Sequence, residues 1–285
     1  MTGDAGRRSG PIAMFDSGVG GLTVLHECLV SLPQEDFLYL GDDARFPYGA
    51  RDPDELRQCV AEVTSHLLDR GAKLLVIACN SAASAGLETA RELAAERGVG
   101  LAAVIDPEAE IAARVSDAGR IGVLATPATV ESGAYLEALR RYRRPLEITE
   151  VEAPDLAAII QRGFPFDEAV VDLVRSYCEP LKHARVDTVI LGCTHYPLVA
   201  PMLQRMLGRD VRLVTAGHAI AAKLEQMLAA EGLKADGEGK GEGDYRFLCT
   251  GDADAFRELG TRFLQLPLGA VEHVELGPAA AEPGT

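Results

Sequence analysis

The chain has 285 residues, with 28 Lys or Arg against 43 Asp or Glu, so its formal net charge is −15. This length suits about two domains, and 47% hydrophobic with 25% charged residues is typical of a folded protein rather than a disordered one. The acidic balance argues against a nucleic-acid or anionic membrane surface, and no apolar run reaches the roughly 18 residues of a membrane span. No apolar segment follows the arginines near the N-terminus, so we expect no secretory signal and a cytoplasmic protein.

Short apolar runs alternate with amphipathic stretches, which predicts strands and helices in turn. The predicted strands are residues 12–15, 37–40, 74–78, 101–105, 121–124, 147–151, 187–191, 211–214 and 245–249. A helix is predicted over residues 53–70, because Pro53 opens it, apolar side chains recur every three or four residues, and Gly71 follows. Continuously apolar strands between helices are typical of parallel sheets covered on both faces, so we expect an α/β, doubly wound fold.

A weak internal repeat relates the two halves of the chain. The segment IAMFDS at 12–17 is similar to IGVLAT at 121–126, and LLVIACNS at 74–81 is similar to TVILGCTH at 188–195. The two spacings are nearly equal, which suggests two related α/β units, each with a cysteine just past the end of a strand. Ligands bind at that end of open α/β sheets, so Cys79 and Cys193 are expected to meet across one cleft if the units face each other.

Four predicted strands end abruptly in small polar residues. These exits read DSGVGG from Asp16, GDDARFPYG from Gly41, CNSAAS from Cys79 and GCTHYP from Gly192. We interpret the other four cysteines, Cys28, Cys59, Cys178 and Cys249, as buried packing residues, since free cysteine is commonly buried. Cys79 and Cys193 differ because hydroxyl and amide groups surround both, and His195 follows Cys193 by two residues.

The segments FDSGVGGLTV, GDDARFPYG, VIACNSA, LGCTHYP and the TGD at 250–252 together resemble the glutamate racemase family of the aspartate/glutamate racemase superfamily. The resemblance runs from about residue 12 to 275. It implies a cofactor-independent interconversion of L- and D-glutamate that supplies D-glutamate for peptidoglycan, commonly by a homodimer. It also implies two pseudo-symmetric domains with the active site in the cleft between them. We expect residues 12–104 plus 214–275 in the first, 105–213 in the second, and flexible tails at 1–10 and 277–285.

The resemblance also implies roles for single residues. Cys79 works on the D-glutamate face and Cys193 on the L-glutamate face, assisted by Asp16 and His195. The implied substrate contacts are Asp16, Ser17, Tyr48, Gly49, Asn80, Ser81, Thr194 and His195, and no metal is implied. Inverting an α-carbon requires an acid–base group on each face, and a thiol, which ionises near pH 8.5, changes protonation readily at neutral pH.

Several positions depart from the family's usual pattern. Ser81 occupies a position where the family usually has threonine, and Asp43 one where it usually has a small hydroxyl residue. Glu108 replaces the usual glycine after Pro107. Gln161 falls where many members carry a glutamate, and the pair Thr215-Ala216 stands for Asp-Ser, while Asp42 matches a carboxylate beside the site. None of these changes removes a catalytic group, but they bear on how the site is tuned.

The neighbours of the two cysteines differ, which gives a hypothesis about the resting enzyme. A protonated His195 would favour a thiolate at Cys193, and an ionised Asp16 would oppose one at Cys79. We therefore expect Cys193 to rest ionised and Cys79 protonated, with Cys193 alkylated faster.

Four alternative interpretations stay open at this point. The same fold could act on aspartate or another amino acid. Cys79, Cys193, His195 and Asp16 could hold a metal, although zinc sites usually include closely spaced ligands. The chain could be a binding protein that keeps the cleft. A pyridoxal phosphate enzyme is the fourth, but no lysine lies in the four strand exits, and the Schiff base needs one.

Overall fold

Ten parallel strands form two separate sheets within the residues that the computed structural model describes, which are 10–163, 167–235 and 241–277. The strands are β1 (Ile12–Asp16), β2 (Phe37–Gly41), β3 (Leu74–Ile77), β4 (Gly100–Ala103), β5 (Arg120–Ala125), β6 (Glu147–Glu152), β7 (Thr188–Gly192), β8 (Arg212–Val214), β9 (Tyr245–Cys249) and β10 (Val271–His273). The first sheet has the order β10-β9-β2-β1-β3-β4, and the second has the order β6-β5-β7-β8.

Eleven α-helices in the described ranges cover these sheets. They are α1 (Leu22–Ser31), α2 (Pro53–Asp69), α3 (Asn80–Glu96), α4 (Ile105–Val115), α5 (Pro127–Glu131), α6 (Ala134–Arg140), α7 (Leu156–Gln161), α8 (Glu168–His183), α9 (Ala200–Leu207), α10 (Ala216–Glu231) and α11 (Ala253–Leu264). None of the eleven has the length and apolar character that crossing a membrane requires.

The two sheets share one winding pattern. In the first, β1 lies between β2 and β3, and in the second, β5 lies between β6 and β7. In each sheet the chain therefore adds a strand on one side of the first strand and then a strand on the other side. This change of direction creates a switch point, and parallel sheets bind ligands there, beyond the carboxyl ends of their strands. The segments of the internal repeat are β1 with β5 and β3 with β7, so the two related α/β units expected from the sequence are confirmed.

The predicted elements agree closely with the observed ones. All nine predicted strands are present within two residues at each end, whereas β10 was not predicted. The helix predicted over 53–70 is α2. The Asp52 side chain accepts hydrogen bonds from the backbone N–H groups of Asp54 and Glu55 at 2.9 Å, and Gly71 follows at φ +81°. A carboxylate at this position satisfies N–H groups that have no partner within the helix.

The strands of the first sheet come from residues 12–103 and 245–273, and those of the second from residues 120–214. Helix α10 returns the chain to the first half, where it packs against α1. The domain boundaries at 104/105 and 213/214 stay a prediction. The predicted tails lie outside the described residues except for Gly10 and Gly277.

Candidate active site

A narrow cavity lies between the carboxyl ends of the strands of the two sheets. Residues from the carboxyl ends of four strands line it: Ser17 after β1, Cys79 after β3, Thr126 after β5 and Cys193 after β7. Nine of the ten predicted site residues line this one cavity, namely Ser17, Tyr48, Gly49, Cys79, Asn80, Ser81, Cys193, Thr194 and His195. The tenth, Asp16, is fully buried at the end of β1. The expectation that the two cysteines meet across one cleft is confirmed.

Cys79 caps the N-terminus of α3. Its Sγ accepts a hydrogen bond from the backbone N–H of Ala82 at 3.4 Å. Burial raises the pKa of the Cys79 thiol to about 12, with a further upward contribution from the Asp16 charge, while the Ala82 N–H acts in the opposite direction. The resting group is therefore a thiol, although the helix N-terminus favours a thiolate once one forms.

Cys193 follows β7 directly, and its Sγ lies 3.9 Å from Nδ1 of His195. Burial raises the pKa of Cys193 well above its ordinary value, and negative charge on Cys79 or Asp16 acts in the same direction. The backbone N–H groups of His195 and Tyr196 lower that pKa. Cys193 therefore also rests as a thiol, with two N–H donors placed to stabilise the thiolate.

The His195 ring is enclosed by two phenyl rings, Phe46 at 5.4 Å and Phe263 at 5.3 Å between centroids. Burial lowers the pKa of His195 to about 3, so the imidazole is neutral at physiological pH. Its Nε2 lies 2.8 Å from Oε1 of Gln161. Because an amide oxygen only accepts hydrogen bonds, Nε2 carries the hydrogen and Nδ1 presents its lone pair to Cys193.

This geometry corrects the hypothesis of a resting Cys193 thiolate beside a protonated His195. Gln161 supplies no negative charge, and the apolar enclosure penalises the imidazolium. Gly20 makes the arrangement possible, since a Cβ there would lie 2.4 Å from the Nδ1 atom of His195. The hypothesis was wrong because the sequence did not show that His195 would be enclosed.

Asp16 joins the two halves of the site. Its Oδ1 accepts a hydrogen bond from the Thr194 hydroxyl at 3.1 Å, and its Oδ2 accepts one from the Gly18 N–H at 3.1 Å. Burial raises the pKa of Asp16, against the effect of these donors and of a hydrogen bond with the Cys79 side chain. Asp16 is therefore placed to accept the proton of Cys79.

A second carboxylate, Asp42, holds Tyr48 at the wall of the cavity. The Tyr48 hydroxyl donates to Oδ2 of Asp42, which also accepts from Nε of Arg45 at 2.7 Å. Oδ1 of Asp42 accepts from the Thr250 hydroxyl at 2.8 Å, so the late TGD segment reaches the site through Asp42. Asp43 strengthens this link, since its Oδ1 accepts from the Gly251 N–H at 2.7 Å.

Two residues of the site were missed or only partly understood from the sequence. The Thr126 hydroxyl lines the cavity and lies 2.8 Å from the Ser81 hydroxyl. The internal repeat could have found it, since Thr126 in IGVLAT takes the place of Ser17 in IAMFDS. Gln161 was singled out as a departure, but its contact with His195 was not predicted.

The cavity suits a small zwitterion with carboxylates. No Lys or Arg is among the described residues that line it, so hydroxyl groups and backbone N–H groups must hold any anion. Throughout the described ranges, no three His, Cys, Asp or Glu side chains form a group able to hold a metal ion.

Comparisons with known proteins agree with this chemistry. The profile of a family described as Asp/Glu/Hydantoin racemase matches residues 23–224. A Bacillus cereus protein named glutamate racemase is 37% identical over 265 residues, which are 93% of this chain and 97% of that protein. A glutamate racemase isoform from Bacillus anthracis has a structure similar to this one, with a TM-score of 0.88 and 34% identity over 94% of this chain and 98% of that one. The structure of glutamate racemase from Francisella tularensis, solved in complex with D-glutamate, is also similar. Its TM-score is 0.86 and its identity 29%, over 94% of this chain and 98% of that one.

Proposed function

The chain belongs to the Asp/Glu/Hydantoin racemase family, and we propose that it interconverts L- and D-glutamate by moving the α-proton between Cys79 and Cys193. The observation that carries the proposal is that both thiols line one cavity, each with a proton acceptor beside it. Cys79 has the Asp16 carboxylate, and Cys193 has Nδ1 of His195. Two such pairs supply an acid and a base in either direction of the reaction.

In the direction from D- to L-glutamate, Asp16 accepts the Cys79 proton and the resulting thiolate removes the α-proton of the substrate. An S–H bond forms on Cys79, and the electron pair of the broken C–H bond stays on the α-carbon. Cys193 then gives its thiol proton to the opposite face of that carbon and becomes the thiolate. The N–H groups of His195 and Tyr196 stabilise this thiolate until it takes up a proton again.

In the reverse direction, the neutral His195 accepts the Cys193 proton at Nδ1. The Cys193 thiolate removes the α-proton of L-glutamate, and Cys79 delivers a proton to the other face. The scheme uses only groups of this chain and needs no cofactor. Racemisation is therefore expected to survive exhaustive chelation of metal ions.

The test of the proposal is the racemisation of each enantiomer, followed by circular dichroism. We expect the wild-type protein to convert both, and Cys79→Ala and Cys193→Ala to lose racemisation by several orders of magnitude. Cys178→Ala is the matched control, because Cys178 is equally buried but lies in α8, outside the cavity. Undiminished racemisation in either cavity variant would falsify the two-cysteine scheme.

Aspartate is the alternative substrate, one methylene shorter than glutamate. The combination of DSGVGG, PYG and GCTHYP favours glutamate through the family resemblance. Racemisation of L-aspartate and L-glutamate at equal concentrations distinguishes the two. Faster conversion of aspartate would replace glutamate as the substrate while leaving the mechanism intact.

We also propose that the reaction takes place in the cytoplasm, that its D-glutamate enters peptidoglycan, and that the enzyme is a homodimer. The resemblance to glutamate racemases supports all three. Sedimentation equilibrium tests the dimer, since a mass of about one 30.3 kDa chain would contradict it.

A further inference from the structure

The side chain of Glu108, on α4, is completely buried beside the cavity but takes no part in the mechanism above. Its Oε2 accepts hydrogen bonds from Nδ2 of Asn80 at 2.9 Å and from the Tyr135 hydroxyl at 2.5 Å. Nδ2 of Asn80 lies 2.8 Å from the Tyr135 hydroxyl oxygen as well. The three side chains come from α3, α4 and α6 and form a closed triangle.

This triangle determines which end of the Asn80 amide is available to a ligand. The amide nitrogen is the donor end of the group, and here it donates to both Glu108 and Tyr135. Oδ1 of Asn80 is buried and has no hydrogen-bond partner in the described structure, while Asn80 itself lines the cavity. A buried carbonyl oxygen without a partner is costly, so a donor from the substrate would be stabilising there.

Glutamate carries two carboxylates, which only accept hydrogen bonds, and one ammonium group, which only donates. We propose that Glu108 is a positioning residue that, with Tyr135, orients the Asn80 amide so that its oxygen accepts a hydrogen bond from the substrate's ammonium group. This inference rests on the proposed function, since it assumes that glutamate occupies the cavity. It deepens that function by assigning recognition of the amino group to a residue held in place from outside the cavity.

Burial also explains why Glu108 can do this without disturbing the chemistry. It raises the pKa of Glu108 to about 8, so the carboxyl is mostly neutral at physiological pH. A neutral carboxyl still accepts hydrogen bonds at one oxygen but places little negative charge near the thiols.

The experiment compares ligands with and without an ammonium group. The KM for L-glutamate and the inhibition constant of glutarate, which has the two carboxylates but no amine, are measured for the wild-type protein and for Glu108→Leu, Glu108→Gln and Tyr135→Phe. In Glu108→Leu we expect the KM for glutamate to rise about tenfold, because one hydrogen bond to a charged group is lost. The inhibition constant of glutarate should stay within about twofold of the wild-type value. Glu108→Gln keeps an acceptor and should restore the wild-type KM.

Tyr135→Phe keeps Glu108 and replaces the leucine variant in the test if that variant does not fold. It should raise the KM for glutamate by a smaller factor and leave the inhibition constant of glutarate unchanged. The proposal is overturned if glutamate and glutarate weaken equally, if the KM does not change, or if the glutamine variant behaves like the leucine variant. A wild-type protein that racemises no glutamate would instead overturn the proposed function.

Discussion

Cys79, Cys193 and His195 are each less than a tenth exposed, and burial moves the pKa of each toward its neutral form. Both thiols and the His195 imidazole therefore rest neutral. In the proposed mechanism, each thiolate that forms has backbone N–H donors already in place. Such preorganised donors stabilise developing charge without a reorganisation cost.

The reactivity of the thiols follows from this protonation. We expect iodoacetamide to alkylate both Cys79 and Cys193 slowly in substrate-free protein at neutral pH. The rate at Cys79 should rise about tenfold per pH unit and show no plateau below pH 10, because its pKa is raised to about 12. Mass spectrometry of each cysteine peptide gives the two rates. A plateau near neutral pH at either cysteine would contradict the neutral resting state.

Burial keeps His195 neutral beside the uncharged Gln161, which can be tested by adding a charge at the position of Gln161. In Gln161→Glu, a carboxylate beside Nε2 should raise the pKa of His195, and the imidazolium should in turn lower the pKa of Cys193. We expect alkylation of Cys193 at neutral pH to become at least several times faster. Cys79 in the same protein is the control, and an equal acceleration of both would point to a general opening of the cavity.

The sequence predicted which residues line the cavity, but it did not predict the surroundings of each side chain. Nine predicted residues line the cavity because parallel strands bring their carboxyl ends to one edge. The neutral state of His195 depends on Phe46, Gln161 and Phe263, which come from three distant parts of the chain. Such long-range enclosure leaves no periodic pattern in a single sequence.

At the scale of elements, burial made the strands easy to predict. Most strands of both sheets are continuously apolar, because helices cover the two faces of each sheet. Strand β10 was missed because two of its three residues, Glu272 and His273, are polar and exposed at the edge of the sheet. A short run with this composition does not differ from a loop.

Helix α2 is a clear case of local signals that determine an element. Replacing Asp52 with Ala removes the acceptor for two N–H groups at the start of the helix. We expect the free energy of unfolding to fall by about 1 kcal/mol, measured by urea denaturation. Asp52→Asn keeps an acceptor oxygen, so its free energy of unfolding should fall much less. Equal decreases in the two variants would show that the hydrogen bonds of Asp52 are not responsible.

At the scale of the whole molecule, polar contacts connect the two halves around the cavity. Thr194 donates to Asp16, and Ser81 lies within hydrogen-bond distance of Thr126. Glu108 adds a buried carboxyl with no cation among its hydrogen-bond partners. Because its pKa is raised by burial to about 8, the native state holds a proton that the unfolded chain has already released. Stability is therefore lost as the pH rises from its ordinary pKa toward pH 8.

Glu108→Gln removes this titration. We expect the variant to gain stability relative to the wild-type protein by on the order of 3 kcal/mol between about pH 5.5 and pH 8.5. Urea denaturation at both pH values measures the change. Glu110→Gln, at an exposed glutamate of the same helix, is the control. A difference between variant and wild type that does not change with pH would show that Glu108 is not protonated in the native state.

Transfer between two thiols on opposite faces is tested most directly by the first turnover in D₂O, starting from L-glutamate that carries protium at the α-carbon. The scheme predicts that D-glutamate formed early carries deuterium at the α-carbon, because Cys79 delivers a solvent-derived proton. The L-glutamate recovered at that time should still carry protium. Early D-glutamate that retains protium would show that one group both removes and returns the same proton, which would contradict the scheme.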